Sequence, residues 1–229
     1  MIDSVYYNIF MKGFVVHQLN DDVTLFPNPL EAVDEGLLAV GGDLSEERLL
    51  NAYSRGIFPW YGQDDPILWW SPNPRLIMYL DDFKLTKSLA RVIRNSGYEV
   101  RIDTNFEAVM RGCMDSPRGE QEGTWISEEI IEAYVRLHED GYAHSFETYL
   151  DGELIGGLYG VSIGRVFCGE SMFANKSNAS KVAYATLIEY LKNADYSFID
   201  CQVPTNHLKS LGAVEVSREE FLKMLAENV

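Results

Sequence analysis

The chain has 229 residues, 19 basic against 35 acidic side chains for a formal charge of −16, and 46% hydrophobic and 12% aromatic content. That much apolar material excludes a disordered protein, and the charge argues against broad, nonspecific nucleic-acid binding. The apolar runs fall far short of a bilayer span and the N-terminal "MIDSVYYNIF" lacks a basic leader, so a soluble cytoplasmic protein of one large or two smaller domains is expected. Cys113, Cys168 and Cys201 are odd in number and widely spaced, which fits small core residues better than a disulfide framework or a zinc knuckle.

Prolines 27, 29, 59, 66, 72 and 74 make the first third read as loop-rich. One helix stands out there, with Ser45 as its cap, Glu46 and Glu47 in its first turn, Leu49, Leu50 and Tyr53 on one face and Gly56 as its stop. From Phe83 the pattern turns regular. A helix in "FKLTKSLARVIR" would gather Lys84, Lys87, Arg91 and Arg94 within an arc of roughly 80°, a basic stripe that is either a phosphate surface or an ordinary solvated face. A strand near "YEVRI" follows, then a helix with Phe106, Val109, Met110 and Cys113 inward. After the polar "DSPRGEQEG", Ser127 caps a helix that buries Ile130, Ile131, Tyr134 and Leu137 and ends at Gly141.

"HSFETYL", the Asp151-Gly152 turn, "ELIGGLYGVSI", a turn at Gly164 and "RVFCGESMF" then predict a three-stranded antiparallel meander. The glycines of "GGLYG" suggest a bulge or a close approach by another backbone or a ligand. "NASKVAYATLIEYLKN" makes a helix with Tyr184, Leu187 and Leu191 on one face, and it leads to a last strand, "SFIDCQV". The order is that of an α+β protein and resembles the GNAT-type N-acetyltransferase fold, in which a bulged strand and its neighbour splay to open a cleft.

"SFIDCQV" places an acid in the middle of a buried strand. Alternation would set Phe198, Asp200 and Gln202 on one side and Ile199, Cys201 and Val203 on the other, which makes the carboxylate and the amide neighbours. A buried carboxylate costs several kcal/mol or so unless it is paired or lines a wet cleft. Glu170 repeats the oddity at the end of "RVFCGE", and the two acids would converge on one cleft, unless each is an internal ion pair with an arginine such as Arg165. Leu158, Phe167, Met172, Tyr184, Leu187, Leu191 and Ile199 are candidates for an apolar pocket beside them, though each is also an ordinary core residue. The tryptophans cluster with prolines: Trp69 and Trp70 read as core anchors, Trp60 and Trp125 as a platform on which a base could stack. No P-loop, G-x-G-x-x-G, H-E-x-x-H or G-x-S-x-G motif occurs, and the four histidines show no metal-ligand grouping.

In chain order, "FPNPLEAVDEGLLAVGGDLSEERLLNAYSRGIFPWY", "PILWWSPNPR", "GTWI", "GLYG", "FCGESMF", "NASK", "IDCQV" and "SLGA" resemble the leucyl/phenylalanyl-tRNA-protein transferases of bacteria from about Phe26 to Leu225. The resemblance implies an enzyme that moves Leu or Phe, with Met a third candidate, from aminoacyl-tRNA to the N-terminal α-amine of proteins beginning with Arg or Lys. The product would carry an N-terminal degradation signal. It also implies a small N-terminal domain (1–77) and a GNAT-like transfer domain (78–229) whose mostly antiparallel sheet is flanked by helices. On this resemblance Asp200 and Gln202 are the catalytic pair, Glu170 joins them, Trp60 and Trp125 stack on adenosine, and the seven apolar residues form the amino-acid pocket.

The ester is already activated, so no cofactor, ATP or metal is called for, and a monomer suffices. An α-amine has a pKa near 7.7–8.0, so modest help with its proton is enough. Asp200 would orient Gln202, whose amide oxygen accepts a hydrogen from the attacking amine, while Glu170 holds the cationic acceptor. The stripe of Lys84, Lys87, Arg91 and Arg94 would meet the tRNA acceptor stem. The rivals are a coenzyme A dependent N-acetyltransferase, disfavoured because the turn "ANKSNASK" lacks the glycines that grip a pyrophosphate, and a noncatalytic adaptor for basic N-termini.

Overall fold

The computed structural model describes residues 9–11, 14–116 and 125–229, so most of the "DSPRGEQEG" loop lies outside the described residues. In chain order the elements are β1 (Ile9–Met11), β2 (Phe14–Leu19), β3 (Leu37–Gly41), α1 (Glu46–Ser54), β4 (Phe58–Pro59), β5 (Leu68–Trp70), β6 (Arg75–Tyr79), α2 (Lys87–Asn95), β7 (Glu99–Ile102), α3 (Phe106–Met114), α4 (Glu128–Glu139), β8 (Ala143–Leu150), β9 (Glu153–Ile163), β10 (Val166–Ala174), α5 (Ala179–Asn193), β11 (Phe198–Asp200), α6 (Asn206–Leu211), β12 (Val214–Val216) and α7 (Arg218–Ala226).

The first third is loop-rich, as expected, but its short strands are not isolated. It forms a five-stranded sheet ordered β1-β2-β3-β5-β4. Its strands are short, and β4 and β5 lie among prolines, so no alternation announces them. A seven-stranded sheet ordered β12-β6-β11-β10-β9-β8-β7 carries the rest, every neighbouring pair antiparallel except β10 with β11. Helices flank the sheets, as an α+β protein requires. The two sheets part between Trp70 and Arg75, so a border after residue 77 runs through β6. One core joins them, with Leu49, Tyr53 and Trp69 from the first third packed into the same cluster as Val109, Tyr134, Phe198 and Phe221. A second cluster, built on Leu158, Phe167, Tyr184 and Leu187, lies beneath α5.

Helix starts follow their caps. Ser45 accepts the Arg48 N–H at 3.4 Å and Ser127 the Ile130 N–H at 3.3 Å, each satisfying a donor the helix leaves open. Thr86 does the same for Leu89 at 3.2 Å, which starts α2 at Lys87. Lys84 therefore precedes the helix that was expected to carry it, its N–H bound to Leu211 O at 2.8 Å.

The meander of β8, β9 and β10 turns at Asp151-Gly152 and at Gly164, all with positive φ. β9 is bulged as expected, at Ile155 directly before Gly156, where its register with β8 shifts between Thr148 and Tyr149. A second bulge sits on β10, where the register shifts between Gly169 and Ser171 and leaves Glu170 as the extra residue. The β9 glycines also serve close approach: a Cβ on Gly156 would meet the Ala179 Cβ at 2.5 Å, and one on Gly160 the Cys168 carbonyl at 2.3 Å. Beyond Val203 the structure adds α6, β12 and α7, whose Phe221 and Leu225 enter the main core.

Candidate active site

β10 and β11 run parallel only from Val166–Cys168 against Phe198–Asp200. Past that point β10 continues with β9 alone, and the gap opens into a cavity of about 270 Å³. Leu158, Phe167, Met172, Tyr184, Leu187 and Ile199 line it, six of the seven residues expected there. Leu191 does not line it; one turn further along α5 it is buried in the cluster below. The polar end of the cavity is made by Glu170 and Gln202, with Ser171, Thr205 and His207 also in its wall.

Glu170 reaches this place because it is the bulged residue. A bulge breaks the two-residue alternation and re-aims one side chain. Its Oε1 accepts from the Tyr53 hydroxyl at 2.7 Å and from Gln202 Nε2 at 2.7 Å. The Tyr53 and Tyr134 hydroxyls are themselves hydrogen bonded. Since Tyr53 donates to Glu170, Tyr134 is the donor to Tyr53, and the chain of hydroxyls points at the carboxylate. Burial pushes Glu170 up to about 7, against the opposing pull of the Tyr53 hydrogen bond, with the negative charge of Asp200 adding to the rise. Burial also holds Tyr53 and Tyr134 well above the usual phenol range, so both act as neutral donors.

Asp200 is not beside Gln202 on a shared face. The strand ends at Asp200, and Gln202 has φ 61, the left-handed region. That turn brings the Gln202 side chain into the cavity wall with Ile199 and Cys201, whereas simple alternation would have returned it to the Asp200 side. Asp200 does not line the cavity. Its two oxygens take Arg75 Nε at 2.8 Å and Arg75 Nη2 at 2.6 Å, and both side chains are only 1% exposed. The ion pair weighed for it is thus present, but with Arg75 rather than Arg165, which pairs with Asp195 at 3.3 Å. What Asp200 gives Gln202 is a backbone contact: Oδ1 accepts the Gln202 N–H at 2.9 Å, an aspartate bonding its own chain two residues on. The expected orientation of the Gln202 amide belongs to Glu170.

Trp60 is 38% exposed with its ring 5.6 Å from that of Trp70, and Trp70 Nε1 donates to the Trp60 carbonyl at 2.5 Å. Trp125 is half-buried against the main core. Tyr61 and Ile126, the chain neighbours of the two tryptophans, are buried in the same core cluster. Trp69 is fully buried, as a core anchor should be, whereas Trp70 is half-buried. All three cysteines are buried and none is in a disulfide. Lys84, Lys87, Arg91 and Arg94 are exposed, and none takes part in an ion pair among the described residues.

Tyr53, Tyr134 and Arg75 had no part in the sequence-based site. The two tyrosines sat on apolar helix faces, and the one available signal was that a buried Tyr hydroxyl needs a partner. Nothing around Arg75 announces a partner 125 positions away. Among the described residues no helix is long and apolar enough to cross a membrane.

Comparison with known proteins bears on this geometry. A family model described as "Leucyl/phenylalanyl-tRNA protein transferase" matches residues 77–226, and its N-terminal-domain counterpart matches residues 42–73. A leucyl/phenylalanyl-tRNA–protein transferase of Sulfurimonas denitrificans is 60% identical over 200 residues, 87% of each chain. One of Chromobacterium violaceum is 55% identical over 207 residues, 90% of this chain and 88% of that one. Among solved structures FemX aligns over 79% of this chain and 71% of its own at 11% identity and a TM-score of 0.47, too distant to add to what the strand order shows. With the family match spanning well over half of its length and relatives this similar over nearly all of it, the chain belongs to the leucyl/phenylalanyl-tRNA protein transferase family of aminoacyltransferases.

Proposed function

We propose that the cavity takes the side chain of a leucyl or phenylalanyl ester carried by tRNA, and that the acceptor is the α-amine of a protein beginning with Arg or Lys. The observation that carries this is a largely apolar, partly open hollow with a polar end at which one carboxylate and one carboxamide meet. An aliphatic or aromatic side chain fills the hollow, and the scissile ester is left beside Glu170 and Gln202. Trp60 and Trp125 would stack on the terminal adenosine, and the exposed Lys84, Lys87, Arg91 and Arg94 would take acceptor-stem phosphates. The formal charge of −16 draws a basic N-terminus toward the enzyme.

The transfer needs one proton moved. The amine nitrogen attacks the ester carbonyl carbon, a C–N bond forms and the C–O bond to the ribose breaks. A carboxamide is too weak a base to carry a proton, whereas Glu170, raised to about 7, lies within about one unit of an α-amine. With Oε1 occupied by Tyr53 and Gln202, its Oε2 receives the amine proton and passes it to the departing ribose oxygen. Gln202 holds that carboxylate in place and offers its amide oxygen to the second amine hydrogen. Asp200 acts from behind, through the Gln202 backbone. The product, carrying a new N-terminal Leu or Phe, is marked for degradation in the cytoplasm.

The test is transfer of labelled Phe or Leu from tRNA to peptides that differ only in their first residue. Transfer to Arg- and Lys-initiated peptides with none to Ala-initiated ones supports the acceptor class. Equal transfer to all three overturns it. Loss of transfer when Leu187→Trp fills the hollow, with the fold intact by circular dichroism, ties the donor side chain to this cavity.

A further inference from the structure

We propose that Arg75 is a positioning residue for the transfer reaction: by clamping both oxygens of Asp200 it holds the Asp200–Gln202 turn that aims the Gln202 amide at Glu170. This inference rests on the proposed role of Glu170.

The clamp is built from several directions at once. Arg75 leads β6, and the next residue of that strand pairs with the turn, Leu76 N–H donating to Gln202 O at 3.0 Å and Leu76 O accepting from Cys201 N–H at 2.9 Å. The guanidinium carbon lies 4.9 Å from the Phe58 ring centre and 4.4 Å from that of Phe221, so aromatic faces on β4 and α7 sandwich it. A planar fork held between two rings presents Nε and Nη2 to one carboxylate in a single orientation, which a lysine cannot do. That carboxylate then has one fixed oxygen to accept the Gln202 N–H.

Gln202 needs such support. It is a non-glycine residue in the left-handed region, a backbone state that persists only when its surroundings over-determine it. If the turn relaxed to an extended conformation, alternation would take the amide out of the cavity and leave Glu170 with Tyr53 alone. A fully buried ion pair contributes little net stability compared with an apolar replacement, so its presence directly behind the site points to geometry as its use.

The clamp is also electrostatic. Tyr53 on α1, Tyr134 on α4, Cys168 on β10, Gln202 and Asp200 at the end of β11 and Arg75 on β6 surround Glu170, and Tyr184, Cys201 and His207 share its cavity wall. Within this set Arg75 pulls Glu170 down and Asp200 pushes it up. The two members of the pair therefore oppose one another at Glu170, Asp200 being the stronger, while they fix Gln202.

The experiment compares steady-state transfer and its pH profile for the parent, Arg75→Lys, Arg75→Met, Asp200→Asn, the Arg75→Met/Asp200→Asn double variant and Glu170→Gln. Arg75→Lys keeps the charge and loses the fork, so kcat should fall about 10- to 100-fold with KM for aminoacyl-tRNA within about threefold and the acid limb unmoved. Arg75→Met should raise the acid limb, Asp200→Asn should lower it, and the double variant should place it between the two single variants while kcat stays low. A role in folding alone cannot shift the limb in opposite directions. Acid limbs of Arg75→Met and Asp200→Asn that move together or not at all, or a kcat of Arg75→Lys within threefold of the parent, overturn the inference. Should Arg75→Met fail to fold, Arg75→Lys and Asp200→Asn decide. Glu170→Gln separates the two claims: if it keeps the parent rate and limb, the role of Glu170 fails, whereas if it abolishes both while the Arg75 and Asp200 variants match the parent, only the Arg75 clamp fails.

Discussion

Two acids lie near the splayed end of β10 and β11, and their surroundings differ in one respect. Asp200 faces the main core and has a cation of its own, Arg75, itself held between Phe58 and Phe221. Glu170 faces the cavity, and its donors among the described residues, Tyr53 and Gln202, are neutral. Burial without a countercharge lifts Glu170 to about 7, whereas the guanidinium commits Asp200 to a fixed structural contact. A carboxylate becomes useful for proton transfer when it is half-withdrawn from water and left without a cation. Full burial with full pairing makes a strut instead.

The largest expected effect falls on the open acid. Glu170→Gln removes the proton acceptor but keeps the shape, and transfer should drop roughly 10²- to 10⁴-fold in a single-turnover assay; a rate within tenfold of the parent would erase the contrast between the two acids. For the closed acid the effect should appear in stability first. Asp200→Ala strands a buried guanidinium, and urea unfolding should show a loss of about 3–5 kcal/mol, far more than Glu170→Gln produces.

Glu170 also links stability to pH. Its folded pKa lies above the unfolded value of 4.5, so between those two values the folded chain binds more protons than the unfolded one. Its contribution is therefore fully present below about 4.5 and is lost as pH rises through about 7. Urea midpoints taken across this window should fall less steeply in Glu170→Gln than in the parent. Activity runs the other way, since the accepting form accumulates above about 7. Tyr53→Phe deletes a hydrogen bond that lowers this pKa, so the acid limb of kcat/KM should move upward, by less than one unit or so; an unmoved limb would show that the hydroxyl does not tune the carboxylate.

The smallest effect on chemistry should come from α2. Reversing Lys87 and Arg91 to Glu should raise KM for aminoacyl-tRNA and flatten its salt dependence by about two counterions, with stability within about 0.5 kcal/mol because neither side chain is buried.

Much of the second half of the fold was legible in the sequence because its elements are long and locally patterned. The faces of α3 and α4 and the turns at Asp151-Gly152 and Gly164 repeat at periods that local sequence exposes. The first third was not, because β3, β4 and β5 span five residues or fewer and are stabilised by pairing across the chain. Within the site, six of the seven apolar residues expected to line the cavity do so, since a cavity wall obeys the same periodicity as a core. Leu191 was misplaced for that same reason.

The sequence by itself determined that Glu170, Asp200 and Gln202 are out of place among apolar neighbours, and that something must compensate them. Tertiary structure alone decided which acid is clamped and which lies open. That choice hangs on a one-residue bulge at Glu170, a left-handed turn at Gln202 and the arrival of Arg75 from a distant strand. The first two break the alternation from which faces are inferred, and the third is a contact across 125 residues, so each is fixed by packing between segments and leaves no mark in local pattern.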